Sequence, residues 1–187
     1  MKRWLMVSLI VFSSILFGCN QTNNSNPVNT STSQESESIV VLGNSIEDVL
    51  SAYGNPKNSV EPLDEDGYGG GYEWNMNNNC ELSVLSVINH RIQSFQLVAP
   101  ENTFWSESEA LNFARKLTPK DSIFLKVAND NSIKYFYYKS PTLAKYFEDE
   151  WYEGSNGKVT RGVFSVQLRL SDSSVDCVNV ETGSYDN

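Results

Sequence analysis

Between Asn20 and Ser38 the chain has one aliphatic side chain, Val28, and no aromatic, so this stretch cannot bury enough apolar surface to offset its own ordering entropy. Any hydrophobic core must be built from residues 40–187. Upstream, Lys2 and Arg3 precede an apolar run from Leu5 to Phe17, which is short for a membrane span and right for the core of a secretory signal. The first 39 residues thus read as an address and a tether, and the remainder as one domain of ordinary size.

The apolar run closes on Leu16-Phe17-Gly18-Cys19, which resembles the bacterial lipobox, with Gly at −1 and Leu at −3 of the Cys. The resemblance implies a lipoprotein signal peptide over 1–18, acyl chains of the palmitate kind on Cys19, and a tether over 19–39. The domain over 40–187 would then be held on the outer side of the cell membrane, or at the outer membrane of a cell that has one. Several acyl chains on one residue meet the requirement that stable anchoring takes more than one lipid signal.

Charge and motif content narrow the function. Fourteen Lys and Arg against 23 Asp and Glu give −9, and loss of Lys2 and Arg3 with the signal would give 12 − 23 = −11. A chain this acidic lacks the cationic footprint that neutralises nucleic-acid phosphates, so nucleic acid is excluded as the expected partner. The single histidine, His90, falls in a predicted hairpin link with no patterned nucleophile beside it. No GxSxG, HExxH, P-loop or GxGxxG motif occurs, so the expectation is a non-catalytic chain with no cofactor and no metal. Cys80 and Cys177 are the only other cysteines. In an oxidising compartment they are expected to form a disulfide bond, the alternative being two separately buried thiols.

Periodicity supplies the elements. Ile46, Val49, Leu50 and Tyr53 make a helical stripe that starts at Asn44 or Ser45 and stops at Gly54 and Pro56. Strands are expected at Tyr72–Trp74, Leu82–Ile88 and Arg91–Val98, the last two joined through Asn89 and His90. A second helix begins at the capping box Ser106–Glu109 and carries Ala110, Phe113, Ala114 and Leu117. It is followed by strands at Ile133–Tyr138, Gly162–Leu170 and Ser174–Glu181. An insert over 140–154, with Leu143, Phe147 and Trp151 on one stripe, reads as a further helix. The expectation is an α+β tandem repeat over 40–101 and 102–187, each copy a helix plus an antiparallel three-stranded unit, with the helices layered on one face of the sheet.

The helix ending Tyr53-Gly54-Asn55-Pro56, the strand with Tyr72 and Trp74 and the hairpin ending Ile92–Leu97 resemble the SmpA/OmlA-type lipoproteins. The doubling resembles the beta-lactamase-inhibitor-protein fold. These resemblances imply a helical layer on an antiparallel sheet, no catalysis, and work done through protein contacts. In the second half Leu117-Thr118-Pro119 stands where the first has Gly54-Asn55-Pro56, and no functional residue carries over.

Candidate contact residues follow from composition. Asp64, Glu65 and Asp66 are consecutive acids before a Gly/Tyr stretch containing Tyr68 and Tyr72, which suits either a partner-binding or a merely solvated loop; Asp64 and Asp66 also offer oxygens to Ca²⁺, without EF-hand spacing. Trp151 sits in a second acidic-aromatic stretch, 148–153. Tyr135, Phe136, Tyr137 and Tyr138 put aromatics on both faces of one strand, so Trp74, Tyr135 and Tyr137 are candidates for an open sheet face. Aromatics beside anions suit protein contacts, because rings give area at low entropy and charge steers encounter. The expected function is a lipid-anchored, extracytoplasmic binding or scaffold module with a protein partner. The alternative is an envelope lipoprotein binding a small ligand or cation.

Overall fold

The computed structural model describes residues 40–60, 70–76, 79–154 and 157–183. The expectations for the signal, for Cys19 and the tether, and for Asp64, Asp66 and Tyr68 lie outside those residues. The order of elements is α1 (Ile46–Tyr53), β1 (Asn58–Val60), β2 (Gly71–Asn75), β3 (Glu81–Ile88), β4 (Arg91–Val98), α2 (Glu107–Lys116), β5 (Ile123–Asp130), β6 (Ile133–Lys139), β7 (Val163–Ser171) and β8 (Ser174–Thr182).

Both helices start where their sequences place a reciprocal cap. Ser45 Oγ accepts from the Asp48 amide at 3.2 Å while Asp48 Oδ2 accepts from the Ser45 amide at 3.0 Å. Ser106 and Glu109 repeat the arrangement at α2. Each box satisfies two of the amides that a helix start leaves unpaired. At its far end α1 stops at Gly54, whose φ of 73° suits glycine and whose amide donates to the Leu50 carbonyl.

The strands form one antiparallel sheet in the order β1-β2-β3-β4-β8-β7-β6-β5. Tight turns set the register of two hairpins: Asn89 and His90 have φ of 50° and 59°, and Asp172 and Ser173 have φ of 48° and 71°. Positive φ at both central residues matches the twist of the flanking strands. The first and second sets of strands meet where Ser94–Val98 of β4 pairs with Glu181–Cys177 of β8.

This architecture corrects the expected fold. The described residues do not make a tandem repeat of helix plus three-stranded unit with layered helices; they make a continuous eight-stranded sheet accompanied by two helices of 8 and 10 residues. Two strands, β1 and β5, arise where connections were expected. The helices are also held by different parts of the sheet. α2 packs on β7 and β8, whereas α1 is tied by backbone hydrogen bonds to the β3–β4 turn, Ile46 N donating to His90 O at 3.1 Å and Ile92 N to Asn44 O at 2.9 Å.

The third expected helix is replaced by two short 3-10 turns, Leu143–Lys145 and Asp149–Tyr152. Glu148 between them is extended, with ψ of 167°, which breaks the helical phase. Burial of Tyr152 decides the path instead: its hydroxyl donates to the Leu143 carbonyl at 2.7 Å, and the ring is fully buried with Leu143 and Phe147. The segment returns to β7 through Gly162. Its φ is 78°, and a Cβ there would stand 2.3 Å from the Ser140 carbonyl oxygen.

Registered pairs carry the core across the whole sheet. Ser59, Tyr72, Val84, Phe95, Val180, Val166, Phe136 and Val127 lie opposite one another in sequence from β1 to β5. From Tyr72 to Phe136 this row is buried. The parallel row Trp74, Leu82, Leu97, Val178 and Leu168 is buried beside it. Ile46, Val49, Ala110, Ala114, Leu117, Leu143, Phe147 and Tyr152 complete the same apolar cluster. Successive residues of a strand point to opposite faces, so the residues between these rows must face the other way.

Candidate functional site

The opposite face carries one mostly polar row that crosses the sheet from edge to edge. Asn58, Glu73, Ser83, Gln96, Asn179, Gln167, Tyr135 and Ala128 form a registered row across all eight strands. At strand spacing its length is roughly 33 Å. Glu73, Gln96, Asn179, Gln167 and Tyr135 are half-buried by one another. Flanking positions continue the character, with Ser94, Glu181, Ser165, Tyr137 and Lys126 in one adjoining row.

Hydrogen bonds hold these side chains in place. Gln96 Nε2 donates to Asn179 Oδ1 at 3.1 Å, and Gln167 Nε2 donates to Ser165 Oγ at 3.0 Å and to Glu181 Oε2 at 3.2 Å. Tyr135 and Tyr137 stack with centroids 6.0 Å apart and planes at 10°, and Lys126 Nζ lies 5.4 Å from the Tyr137 ring centre. At the β1 end Lys57 Nζ pairs with Glu73 at 2.8 Å and with Glu81 at 3.8 Å, and Asn58 donates to Glu73 at 3.1 Å.

Two carboxyls on this face are electrostatically unlike. Partial burial acts to raise Glu73, but hydrogen bonds from Lys57 and Asn58 outweigh it and hold the carboxyl below its ordinary value. Burial raises Glu181, opposed by the hydrogen bond from Gln167. An ionised Glu181 is therefore poorly solvated and would gain from a cationic or hydrogen-donating group set over it.

The structure redistributes the expected contact residues. Tyr135 and Tyr137 lie together on the polar face. Trp74 and Tyr72 do not: both belong to the apolar face, Trp74 only 4% exposed, its indole N–H donating to the Gly54 carbonyl at 2.9 Å. Trp74 stacks on Tyr72 at 6.1 Å and meets Tyr53 of α1 at 6.2 Å, so it seats the end of α1 on the sheet. Trp151 is half-buried against the core, and its neighbour Asp149 is ion-paired with Arg161. Gln96, Asn179, Gln167 and Glu181 were absent from the sequence-based candidates. The signal was available as their alternation with buried Phe95, Val178, Val180 and Val166.

The expected disulfide is also corrected. Cys80 and Cys177 are free, buried thiols. Cys80 precedes β3 and belongs to the apolar core. Cys177 is in β8 on the polar face, its Sγ 3.7 Å from Asn179 Oδ1. β4 runs between β3 and β8, so their Cα atoms are about 10 Å apart by strand spacing, against the roughly 4.4–6.8 Å that a bridge spans. Burial pushes the Cys177 thiol up to about 11, and burial likewise raises Cys80. Both are protonated and poorly reactive near neutrality. His90 occupies the β3–β4 turn with positive φ. Among the described residues no three His, Cys, Asp or Glu side chains cluster as metal ligands.

No family model matches the chain, and no curated protein matches it. Solved structures similar to it include an extracellular protein containing an SCP domain from Bacillus anthracis str. Ames, at 17% identity over 86% of this chain and 49% of that one, with a TM-score of 0.35. Another is a cysteine-rich secretory protein from Staphylococcus aureus subsp. aureus Mu50, at 15% identity over 75% of this chain and 43% of that one, with a TM-score of 0.37. This chain therefore spans less than half the length of each, and TM-scores at that level do not establish a shared fold.

Proposed function

We propose that this chain is a lipid-anchored, extracytoplasmic, non-catalytic binding module that recognises a protein partner through its polar sheet face. The observation carrying the reading is the registered row from Asn58 to Ala128, in which Glu73, Gln96, Asn179, Gln167 and Tyr135 stand half-exposed on the sheet, with Asn58 donating to Glu73 and Gln96 to Asn179. Side chains held this way lose little entropy on docking, and stacked tyrosines supply contact area beside polar donors and acceptors. The location follows from the signal-like N-terminus and the lipobox resemblance at Cys19.

The test is site-specific photocrosslinking in intact cells. A photoreactive amino acid at Gln96, Tyr135 or Asn179 should trap the same protein species, which the same probe at Glu101, on the exposed turn before α2, should not trap. Equal yields from both sets, or none from the polar face, would overturn the reading. Cys19→Ala should move the protein from the membrane fraction to the soluble one; unchanged fractionation of the processed protein would remove the anchor from the proposal.

A further inference from the structure

The sheet ends on two unequal edges. β1 has three residues and β5 has eight, and the outer side of β5 pairs with no strand among the described residues. A free edge of that length is a row of unsatisfied amides and carbonyls, which proteins ordinarily shorten, cover or load with charge. Here four of the first five side chains are apolar and accessible: Ile123, Phe124, Leu125 and Val127, with Ile123 59% and Phe124 54% exposed. A bulge at Leu125 interrupts the ladder, after which Lys126–Asp130 run in unbroken register against Tyr137–Ile133. Five residues of regular edge are thus available to a further strand.

The two faces of this edge differ in chemistry. Phe124 and Val127 face the side covered by α2, Phe124 set edge-on to Tyr138 at 5.6 Å. There a groove of about 420 Å³ is lined by Leu111, Ala114, Tyr138 and Val166 together with Arg115 and Lys120. Lys126 and Lys139 belong to the polar face, opposite Tyr137 and Ile123. Residues 115–139 carry Arg115, Lys116, Lys120, Lys126, Lys134 and Lys139 against Asp121 and Asp130, or 6 − 2 = +4, with Lys134 ion-paired to Glu107 of α2. Since the whole chain is −9, the remainder is −9 − 4 = −13.

That charge distribution discriminates among occupants. A second copy pairing β5 to β5 about a two-fold axis would set one cationic patch against another. An anionic lipid surface would match the charge but leave the edge amides and carbonyls without partners. An acidic peptide strand answers both requirements. We propose that β5 is a docking edge for an extended segment of another protein in which apolar residues alternate with Asp or Glu, laid beside Lys126–Asp130 as a ninth strand. With a period of two, its apolar side chains pack over Phe124 and Val127 toward the groove while its carboxylates reach Lys126 and Lys139. This edge adjoins the polar row at Ala128, but its backbone groups and lysines do not depend on the role assigned to that row.

The experiment pans the full chain against displayed random peptides and then measures a synthetic peptide of the enriched consensus. The expected consensus alternates apolar and acidic positions. Its binding should slow amide exchange at residues 126–130 and should weaken about tenfold in Val127→Lys, which sets a charge against the apolar side chains of the strand. Lys126→Glu, a change at a surface position, should weaken it comparably, and unchanged melting of either variant excludes misfolding as the cause. The proposal is overturned by an absent or non-alternating consensus, by binding that neither variant alters, or by protection elsewhere. It is equally overturned if β5 substitutions instead abolish self-association of the chain or its binding to phosphatidylglycerol vesicles.

Discussion

Phe95 and Gln96 are adjacent in β4, yet one is fully buried in the core and the other is a half-exposed member of the polar row. The same contrast recurs at Val180 and Asn179 in β8 and at Val166 and Gln167 in β7. Cohesion and the contact role proposed for the polar row are therefore separated by a single residue of register. The difference teaches that the polar face is free to change chemically at little cost to the fold, whereas a one-residue slip in any central strand would exchange the two faces.

The comparison is broken most forcefully by truncating neighbours. Phe95→Ala should cost about 3–5 kcal/mol through lost burial and a residual cavity, and Gln96→Ala under about 1 kcal/mol. Urea unfolding of the two variants measures this directly, and similar losses would show that the two faces are not energetically distinct. Trp74→Phe should fall between them, at about 1–2 kcal/mol, because it retains an aromatic ring but leaves the Gly54 carbonyl without its indole donor. Loss of protection at the α1 amides in hydrogen exchange would locate that effect.

A smaller effect separates the two faces by pH. Since burial raises the folded-state value of Glu181, folding favours its protonated form. Its contribution to stability is fully present below the ordinary carboxylate value and is lost as pH rises through the raised value. Glu181→Gln should raise the melting temperature by a few degrees at most near neutrality and leave it unchanged below about pH 4. A gain confined to acidic pH would contradict the sign. The smallest effect expected is none: a reductant should not shift the melting temperature, because Cys80 and Cys177 lie on opposite faces without a bridge. Alkylation of both thiols in denatured, unreduced protein checks the same point.

Local chemistry was legible wherever a short segment carried its own signal. The capping boxes at Ser45 and Ser106, the stripes of α1 and α2, and the strands holding Trp74, Leu82, Ile92, Phe136, Val166 and Val180 all follow from periods and turn residues close in sequence. β5 was not legible because Ile123, Phe124 and Leu125 are consecutive apolar residues with no alternation, and the bulge at Leu125 breaks the phase that a strand pattern needs. The segment 140–154 misled for the opposite reason, its Leu143, Phe147 and Trp151 spacing matching a helix that the burial of Tyr152 overrides.

By itself the sequence determined what neighbouring residues can settle among themselves: an apolar run before Cys19, a polar stretch after it with almost nothing to bury, an acidic composition, and most of the regular elements with their caps and turns. Tertiary structure alone decided which parity of β6 faces the core, because Tyr135, Phe136, Tyr137 and Tyr138 are aromatic at both parities and only the pairing of Phe136 with Val166 orients them. It decided the fate of the cysteines too, since their separation depends on β4 lying between β3 and β8. Strand order is a property of contacts between residues far apart in the chain, and no local period encodes it.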